Sequence, residues 1–255
     1  MKSLDSAMRV LTSLMEEQQN FGVSELAGRL GLPKSQVSKV LATLRRHGLV
    51  QQDPVTRRYS VGLRAYALGS RFITYDRLSR ESLPIIRSLV EETGHSARLS
   101  VRDGDEAIYL IGVEGPHFID TGWHAGTWLP WHATSAGRIL LAFMEEEEVE
   151  RIIAAKGMAP VTSYSVSSHS RLKTVLARAR KRGYDVQRNE TTIGLGTIAV
   201  PIFGEQQRVV GALSLVFPET VVDAGEEPEL ASILHGRARV LSMRMGSVVY
   251  PVGQG

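Results

Sequence analysis

The 255-residue sequence contains no cysteine. That absence removes disulfides, thiolate metal ligands and thiol nucleophiles together, and it fits a reducing compartment. No apolar run approaches the roughly 20 residues that a membrane span needs, and the start MKSLDSAMRV carries an early acid instead of a signal-peptide core. A cytoplasmic protein is expected. Metal-ligand spacing is also missing, because His117, His124 and His132 stand seven and eight residues apart, with no thiolate to assist. No Gly-x-Ser-x-Gly elbow accompanies His132, Ser135 and Glu190, so a hydroxyl, an imidazole and a carboxylate are present without the context of a nucleophilic triad. Neither a metal nor a cofactor is expected, and the chain does not read as an enzyme.

What is present is the composition of a globular protein with real cores, 43% hydrophobic and 22% charged, long enough for two domains. The formal charge of +3 is unevenly placed. Residues 1–64 hold ten Lys and Arg against five Asp and Glu, whereas the remainder holds twenty against twenty-two. An anionic partner is therefore expected at the N-terminal quarter.

Helical periodicity opens the chain, with Ser3 as an N-cap and Leu4, Ala7, Met8, Leu11, Leu14 and Met15 on one face. Ser24 is expected to cap a short helix over 25–30 that ends at Gly31, and Pro33 suits the first turn of a third helix closed by Gly48. Two short strands should flank Asp53-Pro54. Helical pattern returns from Leu63 to about Thr93, where Pro84 is expected to break it and mark a domain boundary. Beyond lie a hairpin around Asp103-Gly104, helices at about 134–156 and 170–183, strands over 196–217 and a last helix over 227–245. This order predicts an α+β fold with a largely antiparallel sheet. Its domains are a winged helix-turn-helix over 1–64, a linker helix over 65–83, and a second domain over 84–255.

The stretch SELAGRLGLPKSQVSKVLATLRRHGLV turns Val37, Val40, Leu41 and Leu44 inward and leaves Ser35, Gln36, Ser38, Lys39 and Thr43 near or on the outer face. A helix so presented fits a major groove about 12 Å wide, where these side chains can reach base edges. Lys34, Arg45, Arg46 and the wing pair Arg57 and Arg58 suit phosphates, which position without reading sequence. Double-stranded DNA is the expected partner. A helical protein-interaction module is the plainer reading of the same stretch.

The segments SLDSAMRVLTSL, SELAGRLGLPKSQVSKVLATLRRHGLV and RRYSVGLRAYALG resemble the winged helix-turn-helix of the IclR-type bacterial transcriptional regulators. TGHSARLSVRDGDEAIYLIGVEG, LPWHATSAGRILLAF, RGYDVQRNETTIGLGTIAVPI and VVGALSLVFP are similar to that family's effector-binding domain, in order and over nearly the whole chain. The resemblance implies a GAF-like sensing domain behind the linker, and a homodimer, often a dimer of dimers, on a palindromic operator. It further implies effector contacts at Ser135, Ala136, Gln187, Thr197 and Ser214, with Phe118 as a lining residue. The runner-up is a metabolite-binding enzyme or sensor whose N-terminal domain only mediates protein contacts.

Read from its residues alone, WHATSAGRILLAF starts a helix at Thr134 or Ser135. The free N–H groups there could hold a carboxylate, with Ala136 and Gly137 permitting close approach, or the hydroxyls could be ordinary caps. Departures from the family pattern are Gln187 where an acid is usual, Thr197 for Cys, Val216 for a hydroxyl residue, Arg138 for Lys, and Trp128 and Trp131 where Arg and Leu are usual. The tryptophans either fill core or line a wider, flatter pocket. In the second case, a small organic acid with an aromatic ring is favoured over a short keto acid.

Overall fold

The computed structural model describes residues 2–15, 20–116 and 122–253. The chain forms two compact units, Met1–Asp76 and Arg77–Gly255.

In the first unit, helix α1 (Lys2–Thr12) ends in a 3-10 turn, and helices α2 (Val23–Leu30) and α3 (Lys34–Arg46) precede a hairpin of β1 (Val50–Gln52) and β2 (Tyr59–Val61). Val10, Phe21, Leu26, Val37, Leu41 and Tyr59 are fully or almost fully buried in one core. Each fully buried side chain of this kind contributes about 1.5–3 kcal/mol. Two caps differ from expectation. Ser3 lies inside α1, and α2 starts after Gly22, two residues before Ser24, because the Glu25 carboxylate reaches back to accept the Gly22 N–H at 3.3 Å. Gly31 closes α2 in the left-handed region at φ 64°, and the Leu32 N–H returns to the Ala27 carbonyl at 3.0 Å. The wing turn is held by the Asp53 carboxylate, which accepts the N–H of Val55 at 2.9 Å and of Thr56 at 2.6 Å. Helix α4 (Leu63–Tyr75) completes the unit with no buried residue, and Leu63, Tyr66, Leu68, Phe72 and Tyr75 are exposed along it.

Asp76, in extended conformation at φ −66° and ψ 125°, separates α4 from α5 (Arg77–Thr93). The expected break at Pro84 is absent, since Pro84 sits inside α5. The lost N–H is tolerated because Leu78, Ile86 and Leu89 on the same helix are buried in the second unit.

The second unit is an antiparallel sheet of six strands in the order β5-β4-β3-β8-β7-β6. The strands are β3 (Ser96–Asp103), β4 (Glu106–Val113), β5 (Trp128–Leu129), β6 (Asp185–Arg188), β7 (Leu195–Phe203) and β8 (Val209–Pro218). Helices α5 and α9 (Glu227–Arg244) pack on the sheet, and α6 (Ser135–Ala142) packs on it too, in contact with α8 (His169–Arg182). The acidic run starts α7 (Glu146–Lys156), where carboxylates suit the positive end of the helix. This is the α+β architecture expected, with β5 and β6 added. Every residue of α6 is buried, as a helix within a core requires.

Candidate functional site

On the first unit, α3 displays Lys34, Ser35, Ser38, Lys39, Thr43, Arg45 and Arg46 at the surface. Gln36 does not join them. It is half-buried, and its amide donates to Ser6 Oγ on α1 at 2.8 Å, so it fastens two helices together. Arg45 reaches the wing, donating to Gln52 Oε1 at 2.7 Å. Arg57 is exposed at the wing turn with φ 59°. Arg58 is committed elsewhere, because its guanidinium bonds the Asn20 carbonyl at 3.1 Å and the Glu25 carboxylate at 2.7 Å. Those contacts bind the wing to the start of α2, so Arg58 serves the fold where a phosphate contact was expected.

On the second unit, Thr134 caps α6, and its hydroxyl accepts the Gly137 N–H at 3.0 Å. The first turn thus presents Ser135 and Ala136, whose N–H groups precede the helical ladder. A Cβ on Gly137 would lie 2.6 Å from Thr134 Oγ1 and 2.8 Å from the Trp131 carbonyl. The glycine therefore admits the protein's own turn, where close approach of a ligand was expected.

Between this helix start and the sheet lies a cavity of about 50 Å³. Ser135, Ala136, Gln187, Thr197 and Ser214 all line it. Ser135 Oγ and Thr197 Oγ1 share a hydrogen bond of 2.7 Å, which ties α6 to β7. Gln187 is buried with its carbonyl accepting the Glu190 N–H at 2.9 Å and its amide donating to Thr191 Oγ1 at 3.2 Å. It braces the turn after β6, leaving one amide hydrogen for a guest. Phe118 lies outside the described residues.

Neither Trp128 nor Trp131 lines the cavity. Trp131 is buried in the core and donates its indole N–H to the Asp105 carbonyl at 3.1 Å, while Trp128 pairs with Ile108 at the sheet edge. The aromatic wall comes instead from Tyr109 and Trp123, with Arg98 between strand and cavity. Burial pushes the Tyr109 hydroxyl up to about 12, so it stays protonated. Arg98 and Tyr109 were legible only as an inward phase of alternating strands, and Trp123 had no periodic context.

Behind the cavity, Arg138 is 1% exposed. Its Nε donates to Asp185 Oδ2 at 2.6 Å and its Nη1 to both oxygens of Glu190 at 2.9 Å. Glu190 Oε2 also accepts the Val166 N–H at 3.0 Å. His132 donates its Nε2–H to the Ala159 carbonyl at 3.0 Å, and burial holds its pKa below the usual value. Ser135, His132 and Glu190 thus serve three different partners, and no triad exists. Among the described residues no group of three metal-ligating side chains assembles, and no helix is long and apolar enough to cross a membrane. His117 is outside them.

A helix-turn-helix with a wing, joined to a six-stranded antiparallel sheet with a cavity at a helix start, defines a DNA-binding regulator with a separate effector domain. The family descriptions agree. IclR helix-turn-helix domain matches residues 3–54, and Bacterial transcriptional regulator IclR C-terminal matches residues 72–243. The chain belongs to the IclR family of transcriptional regulators, and it is not an enzyme. It is 30% identical over 249 residues to the Transcriptional repressor IclR of Escherichia coli, covering 97% of this chain and 91% of that protein. An IclR transcriptional regulator from Alicyclobacillus acidocaldarius superposes with a TM-score of 0.85 at 28% identity, over 96% of this chain and 99% of that one. An IclR homolog from Microbacterium hydrocarbonoxydans, solved in complex with 4-hydroxybenzoate, shares the fold with a TM-score of 0.80 at 24% identity, over 95% of this chain and 98% of the other.

Proposed function

We propose that this regulator binds a palindromic double-stranded operator as a homodimer, and that a small organic acid held in the α6 cavity controls that binding. The observation that carries the reading is the meeting of the α6 start with hydroxyl-bearing strands: Ser135 and Ala136 supply N–H groups for a carboxylate, and Thr197 and Ser214 stand opposite. On DNA, Ser38 and Lys39 read base edges while Lys34, Arg46 and Arg57 hold phosphates. The exposed apolar row of α4 is the surface a second copy covers. A regulator of this kind works in the cytoplasm.

The aromatic guest expected from Trp128 and Trp131 loses those two rings, since Trp131 is spent on the core and neither lines the cavity. A volume of about 50 Å³ is far below the 300–1,000 Å³ of pockets for drug-sized ligands, and supports a guest of few heavy atoms. Mobility-shift titration on the DNA flanking its own gene, with pyruvate, glyoxylate, benzoate and 4-hydroxybenzoate, tests this. A short acid that changes operator affinity in the wild type and not in Ser135→Trp is the expected result. No response to any acid, or a response untouched by Ser135→Trp, overturns it.

A further inference from the structure

Resting on that reading, we propose that the cavity takes a short aliphatic dicarboxylate, with one carboxylate at the start of α6 and the other on Arg98. Arg98 lies on β3 with its guanidinium stacked over the Tyr109 ring at 4.7 Å. Its Nη2 stands 3.5 Å from Glu114 Oε1, an ion pair too long for a good hydrogen bond. Its Nε is buried and has no hydrogen-bond partner among the described residues. Glu114 balances the charge from one side, but the buried Nε–H is left without an acceptor, which is costly for a donor on a charged group. Tyr109 neutral beneath it offers a π face and no charge.

The opposite wall is also positive. Ser135 and Ala136 begin α6, and the helix dipole adds partial positive charge there. No Asp or Glu lines the cavity itself, and Glu114 meets Arg98 only through Nη2, so Nε and the helix start can both serve an anion inside. Spacing agrees with a short linear guest. Arg98 pairs with Ser214 on β8, and Thr197, bonded to Ser135, lies one strand further on β7. Strands about 4.8 Å apart set the two backbones about 10–12 Å from each other, and the Arg98 stem and the Ser135 side close on the gap from either end. A diacid of three or four carbons suits that remainder and the volume of about 50 Å³.

The test is calorimetric titration of the full-length protein with malonate and succinate against propionate and butyrate. Diacids should bind about tenfold or more tightly than the monoacids of equal length, the scale of a charge-assisted hydrogen bond. Arg98→Met should erase that ratio by weakening the diacids alone, and Arg98→Lys should restore part of it. Equal affinities in the wild type overturn the proposal even if Arg98→Met fails to fold, and so does a diacid advantage that survives the substitution. If propionate binds and Ser135→Trp abolishes it while diacids gain nothing, this inference falls and the monoacid reading stands. If no acid binds at all, both fall.

Discussion

Arg138 Nε lies 2.6 Å from Asp185 Oδ2, with the two side chains 1% and 0% exposed. Burial pushes the Asp185 carboxyl up, and the guanidinium opposes that push. Because the same guanidinium also grips Glu190, one side chain fixes the α6 start, the first residue of β6 and the turn beyond Gln187. Removing it leaves Glu190 without its guanidinium partner and Asp185 with Arg182 alone, 3.4 Å from Oδ1. Arg138→Met should therefore lower unfolding free energy by about 3–5 kcal/mol, the usual cost of breaking a buried pair. Urea unfolding measures it, and a loss below about 1 kcal/mol would show the cluster to be dispensable.

A pH effect follows from His235. Its Nδ1 bonds Tyr250 Oη at 2.8 Å, its Nε2 is buried with no hydrogen-bond partner among the described residues, and burial, with Arg239 nearby, lowers its pKa to about 4. The unfolded histidine, near 6.5, binds protons that the folded one refuses. Stability is then full above about pH 6.5, falls as pH drops toward 4, and levels below it, for a maximal loss of about 3 kcal/mol. Denaturation midpoints of wild type and His235→Phe between pH 4.5 and 7.5 should diverge in slope; parallel curves would contradict the assignment.

The DNA face separates into three kinds of residue. Lys34→Ala should weaken binding to all sequences alike and reduce the salt slope by about 1, as loss of a phosphate contact does. Lys39→Ala should cost about 1–3 kcal/mol and relax sequence preference. Arg58→Ala should instead lower the stability of the N-terminal unit, because its partners are Asn20 and Glu25. Salt-dependent mobility shifts with thermal melts distinguish the three, and an unchanged melt for Arg58→Ala with a lower salt slope would return it to the phosphates.

Phe72 is 56% exposed on an α4 that buries nothing within its own unit. Phe72→Glu should convert the proposed dimer to monomers in sedimentation velocity. An unaltered sedimentation coefficient would place the subunit contact elsewhere.

Secondary structure was readable wherever apolar residues kept a regular phase. The α3 stripe of Val37, Val40, Leu41 and Leu44, the Gly31 stop and the β3–β4 hairpin at Gly104 are such cases. β6 was hidden because its buried positions are Asp185 and Gln187, polar residues whose partners lie far along the chain. Pro84 misled because tertiary packing of α5 outweighs one missing hydrogen bond. Ser135, Ala136, Gln187, Thr197 and Ser214 converge on one cavity from four separate elements, a convergence that resemblance implied and that spacing alone did not. Gln36 and Arg58 looked free because helical phase reports which face a side chain occupies, and not who waits opposite. For Trp131 the two readings, core or pocket wall, could not be separated by sequence, because a ring next to a site has no periodic signal of its own; it lies in the core.

Ser135, Thr197 and Ser214 bring hydroxyls to the cavity, and a hydroxyl rotates to donate or accept as its neighbour demands. Val216 beside them has nearly the outline of a threonine. One or two nucleotide exchanges between serine, threonine, alanine and valine would rewrite which guest is welcome while barely disturbing the volume filled. The Arg138 cluster that secures the scaffold stands apart from these positions. A lineage of such regulators can thus drift from one metabolite to another without passing through an unfolded ancestor.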